Sequence, residues 1–429
     1  MPTPTPRDKF WFILGREPLI AAAEIGAVLG FGKNYEYAPP ILKVDGLSLR
    51  EKRSNPKDNE ITTVAQGDLA MTEPAILIKR LGGTIKIAKE MADSVTEEKL
   101  KNIIIEELKT VEGKINFGLS IYSQTNINLK EVKNLGLQIK KALKEEGLSV
   151  RYVENRETIL SSVTVEKNGL TGRGREFLIE KSGDAFSLAK TEAVQPFEEF
   201  SARDFGRPGR DSASGMLPPK LAMMMINLAQ APKNGVLLDP FCGSGTIISE
   251  AALLGYKILI GSDNSEKAIA DSKKNIEWIK QKFPISNFQF PINFQVSNVQ
   301  NLSRILKHES IDAVVTEPYL GKPLRGQETR EELLKQTNEL KTLYIEAFRQ
   351  FSSILKPNGV VVFIIPRFSA KGGSASGGKF SNEWITIDCK NNIETLGFKS
   401  VPFLEQHPYL LYARPDQRVG REIWKFEKI

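Results

Sequence analysis

The run Asp239-Pro-Phe-Cys-Gly-Ser-Gly-Thr246 leaves an apolar stretch, VLL, and enters a helix-like segment. Gly243 and Gly245 permit turn geometry and a close backbone approach to a ligand that side chains would obstruct. The carboxyl end of a strand is where an open α/β sheet binds its ligand. Further on, ILIGSD ends in Asp263, a carboxylate placed at the tip of a second strand to accept hydrogen bonds from two ribose hydroxyls. A dinucleotide fingerprint would need glycine where Ile248 stands, and no G-x-x-x-x-G-K-[ST] loop occurs, which disfavours hydride and phosphoryl transfer. The pairing of turn and carboxylate points to an adenosine-containing ligand.

The usual catalytic side chains are scarce. His308 and His407 are the histidines, and Cys242 and Cys389 the cysteines. They are too few for a histidine-based metal centre, a Ser-His-Asp triad, a cysteine-rich zinc site or a disulfide framework. No metal is expected, and the cysteine usage suits a reducing cytoplasm. The start, MPTPTPRDKFWFILG, lacks a secretory pattern, and no run of about 18 apolar residues occurs, so a soluble cytoplasmic protein without membrane contact is expected. Lys and Arg number 59 against 52 Asp and Glu, a net charge of +7 that permits a polyanionic partner. Arg203, Arg207 and Arg210 stand close together, and Lys140, Lys141 and Lys144 share one helix-like segment. Such clusters contact phosphates without reading sequence; for the lysines a solvated face is the equal alternative, and the arginines, beside the entrance to the site, are expected to contact substrate or cofactor.

Positioning these residues requires more than one core, since 429 residues exceed a single ordinary domain. Residues 1–90 read as a small α+β unit: the strand FWFILG, the helix PLIAAAEIGAVLG, broken polar sequence through SNPKDNE at 54–60, then a helix closed by Gly82-Gly83 and a strand. Residues 91–194 read as a second one, with a helix near 99–109, the strand NFGLSIY, an amphipathic helix over 130–146, and strand-like SVRYVEN and SSVTVEK. The Pro-, Gly- and charge-rich stretch 195–218 is expected to be a linker. From 219 to 429 the pattern alternates: a helix over 219–230, VLLDP, a helix from 245, ILIGSD, a helix to 282, a strand near 292–296, DAVVT, a helix through 356, and VVVFIIP. That alternation means a Rossmann-like, doubly wound, mostly parallel sheet. The SAKGGSASGGK segment at 369–379 is read as a flexible loop.

DPFCGSGT, GSD and TEPYLG together resemble the motifs of class I S-adenosylmethionine-dependent methyltransferases that modify exocyclic amines of nucleic acids. RDFGRPGRDSASGMLPPKLAMMMINLA resembles the segment leading into the catalytic domain of methyltransferases with a THUMP RNA-binding domain. FWFILGREPLIAAAEIGAVL and AILIKRLGGTIKIAK are similar to the opening of the tRNA guanosine-N2 methyltransferases of that group. The resemblance implies a ferredoxin-like start over 1–90, a THUMP-like domain over 91–194 that grips tRNA, and a class I methyltransferase domain over 219–429 using S-adenosylmethionine. No protein partner is indicated. Carried over by position, Asp239, Phe241, Gly243, Ser244, Gly245 and Thr246 would cradle the cofactor's methionine and ribose. Asp263 and Asn264 would meet the ribose hydroxyls, and Asn298, where such enzymes usually carry an acid, would lie near the adenine.

The resemblance also assigns Thr316, Glu317, Pro318 and Tyr319 to catalysis, where the family shows Asp or Asn, then Pro-Pro-Tyr or Pro-Pro-Phe. An exocyclic amine is a poor nucleophile because its lone pair is delocalised into the ring, so an acceptor must hold its hydrogens and aim the lone pair. The aromatic ring stacks on a base held out of its helix. Here Thr316 occupies the acidic place and the carboxylate follows at Glu317, leaving either side chain as the acceptor. The expectation is methylation of a base amine in structured RNA, guanosine N2 in tRNA first. Ribosomal RNA guanosine, a DNA amine, or a non-catalytic RNA-binding protein that kept the cofactor pocket are the alternatives.

Overall fold

The computed structural model describes residues 8–30, 35–45, 73–123, 128–154, 156–210, 216–283, 292–370, 383–414 and 417–429. The polar stretch at 54–60 and all but the first residues of the 369–379 loop lie outside them. The described residues form two compact units: one runs to Glu199 without Leu19–Val28, and the other joins Leu19–Val28 to Phe200–Ile429.

The first unit is built on an eight-stranded sheet of β1 (Lys9–Leu14), β2 (Tyr35–Ala38), β3 (Ile41–Asp45), β4 (Thr84–Val95), β5 (Ile115–Ser123), β6 (Val150–Tyr152), β7 (Arg175–Ser182) and β8 (Ala185–Val194). Its order is β2-β3-β1-β4-β8-β7-β5-β6. β4 pairs with β1 from Phe10↔Lys89 to Leu14↔Thr84 and with β8 from Lys86↔Val194 to Val95↔Phe186. The division expected at 90/91 therefore falls inside a continuous strand. One core, with Trp11, Ile41, Ala88, Tyr122 and Leu178, crosses it. Deep in this unit the ammonium of Lys86 lies 2.5 Å from the carboxylate of Glu176, which also accepts from Ser120 Oγ at 2.6 Å and Thr191 Oγ1 at 2.7 Å. Those bonds satisfy charges that would otherwise be costly to bury. SSVTVEK, read as strand-like, is helical over Ser162–Lys167: Ser161 Oγ accepts from Thr164 N at 3.2 Å, and this cap overrides the β-branched composition.

The second unit carries β9 (Val236–Asp239), β10 (Ile258–Asp263), β11 (Asn293–Val296), β12 (Ile311–Thr316), β13 (Leu355–Ala370), β14 (Glu383–Ile385), β15 (Phe398–Ser400), β16 (Leu410–Tyr412) and β17 (Val419–Lys428). The sheet runs β11-β10-β9-β12-β13-β17-β15, with β14 on β13 and β16 on β17. β11 through β13 are parallel, and β17 is antiparallel to β13. Successive residues face opposite ways. Leu237, Val315, Val362 and Ile364 pack with Met224, Ile226, Ile247 and Ile248 on one face. Leu238, Val314, Val361 and Phe363 pack with Tyr344, Phe348 and Phe351 on the other. Helices on both faces of a parallel sheet bear out the doubly wound reading. The antiparallel strands β14–β17 were not foreseen.

The expected linker is partly structured. Phe197–Phe205 is a helix whose Phe200 and Arg203 are buried, because i and i+3 share one face and Phe200 supplies the apolar contact. Among the described residues no helix is long and apolar enough to cross a membrane.

Candidate active site

The strand order reverses between β9 and β12, so the loops leaving their carboxyl ends diverge and open a crevice. A cavity of about 720 Å³ lies there, within the range of small-molecule sites. Of the residues singled out from sequence, Asp239, Phe241, Gly243, Ser244, Thr246, Asp263, Asn264, Asn298, Glu317, Pro318 and Tyr319 line it. Gly245 and Thr316 sit behind the wall.

The glycine turn is held from two sides. Gly243 N donates to Asp263 Oδ2 at 3.0 Å, and Cys242 N donates to Ser262 O at 2.9 Å, fastening the turn to β10. From the helix Glu266–Lys282, Ser272 Oγ donates to Gly243 O at 2.7 Å and Asn275 Nδ2 to Ser244 O at 2.8 Å. Ser272 and Asn275 escaped sequence reading; their signal is two small polar residues one turn apart on a helix face that also carries Ile269, Ile276 and Ile279. Gly245 has φ +81°, and a Cβ there would lie 2.9 Å from Ser272 Oγ. Gly245→Ala is expected to displace Ser272, cost about 1–2 kcal/mol of stability and weaken binding of an adenosine ligand about tenfold. Thermal melts and titration calorimetry would check both, and unchanged binding would refute it.

Asp263 also accepts from Ser265 N at 2.9 Å through Oδ1. Each of its oxygens thus has one backbone bond and a further lone pair for a ligand hydroxyl. Asn298 caps the turn Val299–Asn301, its Oδ1 accepting from Gln300 N at 3.0 Å. The amide hydrogens and a second lone pair remain for the edge of a base.

Asp239 is 2% exposed. Its Oδ1 accepts from Thr316 Oγ1 at 2.6 Å and from Phe241 N at 3.2 Å. Burial pushes its pKa up to about 7, with the nearby charges of Asp263 and Glu317 adding to the rise and the two hydrogen bonds opposing it. The Thr316 hydroxyl is thereby committed to Asp239, and Thr316 itself is wholly buried. Of the two acceptors the sequence left open, Glu317 is the one that lines the cavity. Glu317 Oε1 accepts from Arg421 Nε, on β17, at 2.6 Å. Tyr319 is 54% exposed. Its carbonyl accepts from the buried Tyr344 hydroxyl at 2.8 Å, and Lys322 N donates to Gln336 Oε1 at 3.0 Å, pinning the loop to the helix Arg330–Ile354.

The basic residues divide. Arg203 is 5% exposed, bonds Glu250 Oε1 at 2.8 Å and lies 4.3 Å from the Phe200 ring, so it is closed to RNA. Arg207, also 5% exposed, donates to Thr246 Oγ1 at 2.5 Å, which places it behind the cavity wall rather than on a surface. Burial removes both from the RNA contact expected of them: the helix Phe197–Phe205 turns Arg203 inward, and Arg207, just past its end, is held by Thr246. Arg210 stays exposed, its Nη1 donating to Phe205 O at 3.2 Å. In the first unit, Lys140, Lys141 and Lys144 border a shallow depression beside Leu137 on the helix Leu129–Glu145. Among the described residues no group of three or more His, Cys, Asp or Glu is arranged to hold a metal.

A family model described as the RMKL-like methyltransferase domain, UPF0020, matches residues 207–371. The tRNA (guanine(10)-N2)-dimethyltransferase of Methanothermobacter thermautotrophicus is 33% identical over 140 residues, 32% of this chain and 37% of that protein. The enzyme of the same name from Pyrococcus abyssi is 28% identical over 209 residues, 49% of this chain and 54% of that protein. The matched region thus spans about a third to a half of the length of these relatives. The crystal structure of TrmN from Thermus thermophilus superposes with a TM-score of 0.52 at 15% identity, over 99% of this chain and 100% of that one. That likeness, with the strand order above, identifies the fold of the second unit as the class I methyltransferase fold.

Proposed function

We infer that this protein transfers a methyl group from S-adenosylmethionine to the exocyclic N2 of a guanosine in tRNA. The observation that carries the reading is Glu317 followed by the exposed Tyr319, at the tip of β12, opening on the same cavity as Asp239 and Asp263. The cavity suits the cofactor. A Cβ on Gly243 would meet no protein atom within 4 Å, so the turn offers bare backbone to a ligand. Asp263 keeps lone pairs for the ribose hydroxyls, and Asp239 lies where a cationic amino acid moiety would find a carboxylate. When bound, S-adenosylmethionine supplies an electrophilic methyl group whose bonding pair stays with sulfur as the new N–C bond forms.

The residues of this chain do the rest by position. Tyr319 stacks on the base. Glu317 accepts a hydrogen bond from the amine, directs its lone pair at the methyl carbon, and takes up the proton that nitrogen must release. Relatives named for guanine-N2 methylation of tRNA support guanosine over a DNA amine. The first unit, including the 91–194 stretch that resembles a THUMP domain, binds the RNA backbone, with Lys140, Lys141 and Lys144 as its phosphate contacts and Arg210 as the one in the second unit. A tRNA substrate fits a cytoplasmic protein.

The test is incubation of the purified protein with bulk unmodified tRNA and labelled S-adenosylmethionine, followed by digestion to nucleosides, with Asp263→Ala as control. The expected product is labelled N2-methyl- or N2,N2-dimethylguanosine, absent from the variant. Label in ribosomal RNA or DNA but not in tRNA would overturn the substrate. Cofactor binding without transfer to any nucleic acid would overturn the activity.

A further inference from the structure

We propose that Arg421 is a positioning residue for methyl transfer: it takes one oxygen of Glu317 and turns the other toward the amine to be methylated. The proposal rests on Glu317 being the group that holds that amine.

Arg421 and Glu317 are 104 residues apart, yet Arg421 Nε lies 2.6 Å from Glu317 Oε1, and the two side chains are 14% and 15% exposed. Arg421 is fixed on both sides: β17 pairs it with Pro366 on β13 and with Tyr412 on β16. Its guanidinium lies 5.9 Å from the ring of the buried Tyr412, whose hydroxyl accepts from Arg414 Nη2 at 2.9 Å. The cation therefore stands on rigid strands, whereas Glu317 follows the last residue of β12 and carries a longer, freer side chain than the aspartate usual in such a motif. An unrestrained glutamate would lose rotamer entropy each time it met the substrate. A charge-assisted bond to a planar, pre-organised guanidinium removes that freedom beforehand. With Oε1 taken by Arg421, Oε2 is the oxygen left for the cavity, and one lone-pair direction can be held at the amine.

The test uses the full chain with a tRNA transcript that the wild-type protein methylates. Arg421→Ala is expected to lower kcat by roughly 10- to 100-fold. KM for tRNA and the affinity for S-adenosylmethionine by calorimetry should stay within about threefold. Arg421→Lys should retain part of the rate, and added methylguanidine should restore part of it to Arg421→Ala. In a Glu317→Gln background, Arg421→Ala should cost little more, because the group it positions is gone. An undiminished kcat in Arg421→Ala would overturn the proposal. So would a fall that persists in the Glu317→Gln background without rescue, which marks a purely structural role. If Glu317→Gln is itself as active as the wild type, the reading beneath the proposal fails, and the Arg421 variants then report only packing.

Discussion

Replacing Glu317 with glutamine is expected to lower kcat for methyl transfer by about 10²- to 10³-fold, with S-adenosylmethionine binding within about twofold of the wild type. Glutamine keeps the shape of the side chain and can still offer its carbonyl oxygen to Arg421 Nε, now at 2.6 Å from Glu317 Oε1. The group then facing the cavity is an NH2, a donor opposed to a donor. The amine loses both the acceptor that aims its lone pair and the base that removes its proton. Thr316→Val is the informative comparison. Its hydroxyl donates to Asp239 at 2.6 Å and does not line the cavity, so its loss should act on cofactor affinity and leave most of the methyl-transfer step intact. Single-turnover rates at saturating tRNA and cofactor separate the two. A Glu317→Gln rate within about threefold of the wild type, beside a large fall in Thr316→Val, would move the acceptor role to Thr316.

The parts of the site that could be read directly are those whose geometry is local. The turn Asp239–Thr246 joins a strand to a helix within a few residues, and Asp263 ends the next strand, so spacing alone places both. The residues that hold them come from elsewhere in the chain. Ser272 reaches back 29 residues to Gly243 O, and Arg421 reaches back 104 to Glu317. Neither contact has a sequence period. The same contrast runs through the fold. The parallel core strands β9, β10, β12 and β13 are apolar runs and were legible, whereas β14, β15 and β16 are three residues each and carry too little pattern. Arg203 was misread for a physical reason: in a segment rich in Pro, Gly and charge, an arginine looks solvated until Phe200 and Glu250 are known to receive it. The division expected at 90 falls within a twelve-residue strand whose partners, β1 and β8, lie too far off in sequence for their pairing to leave a local sign.

Asp239 ties the chemistry of the site to its stability. In the folded ligand-free protein its pKa is pushed up to about 7, against about 3.9 for an unfolded aspartate. The folded state therefore holds a proton that the unfolded chain has released between about pH 4 and pH 7. Stability falls wherever the native state binds more protons than the unfolded one as pH rises. The contribution of this group is thus fully present below about pH 4 and is lost as pH climbs through 7, a difference of about 4 kcal/mol. Asp239→Asn, neutral at every pH, should lack this component. In denaturant titrations at pH 5 and pH 8, the wild type should lose about 2–4 kcal/mol more than the variant. Equal losses would mean that Asp239 is already ionised in the native state.

The same proton predicts a ligand effect. A cationic group bound beside the carboxylate favours its ionised form, so S-adenosylmethionine binding near pH 7 should release a fraction of a proton. Calorimetry in buffers of different ionisation enthalpy reads that release, and Asp239→Asn should abolish it. Thr316→Val removes a hydrogen bond that lowers the Asp239 pKa, so the release should move to higher pH in that variant and grow at pH 8. A release unaffected by either substitution would assign the proton to another group and detach Asp239 from cofactor binding.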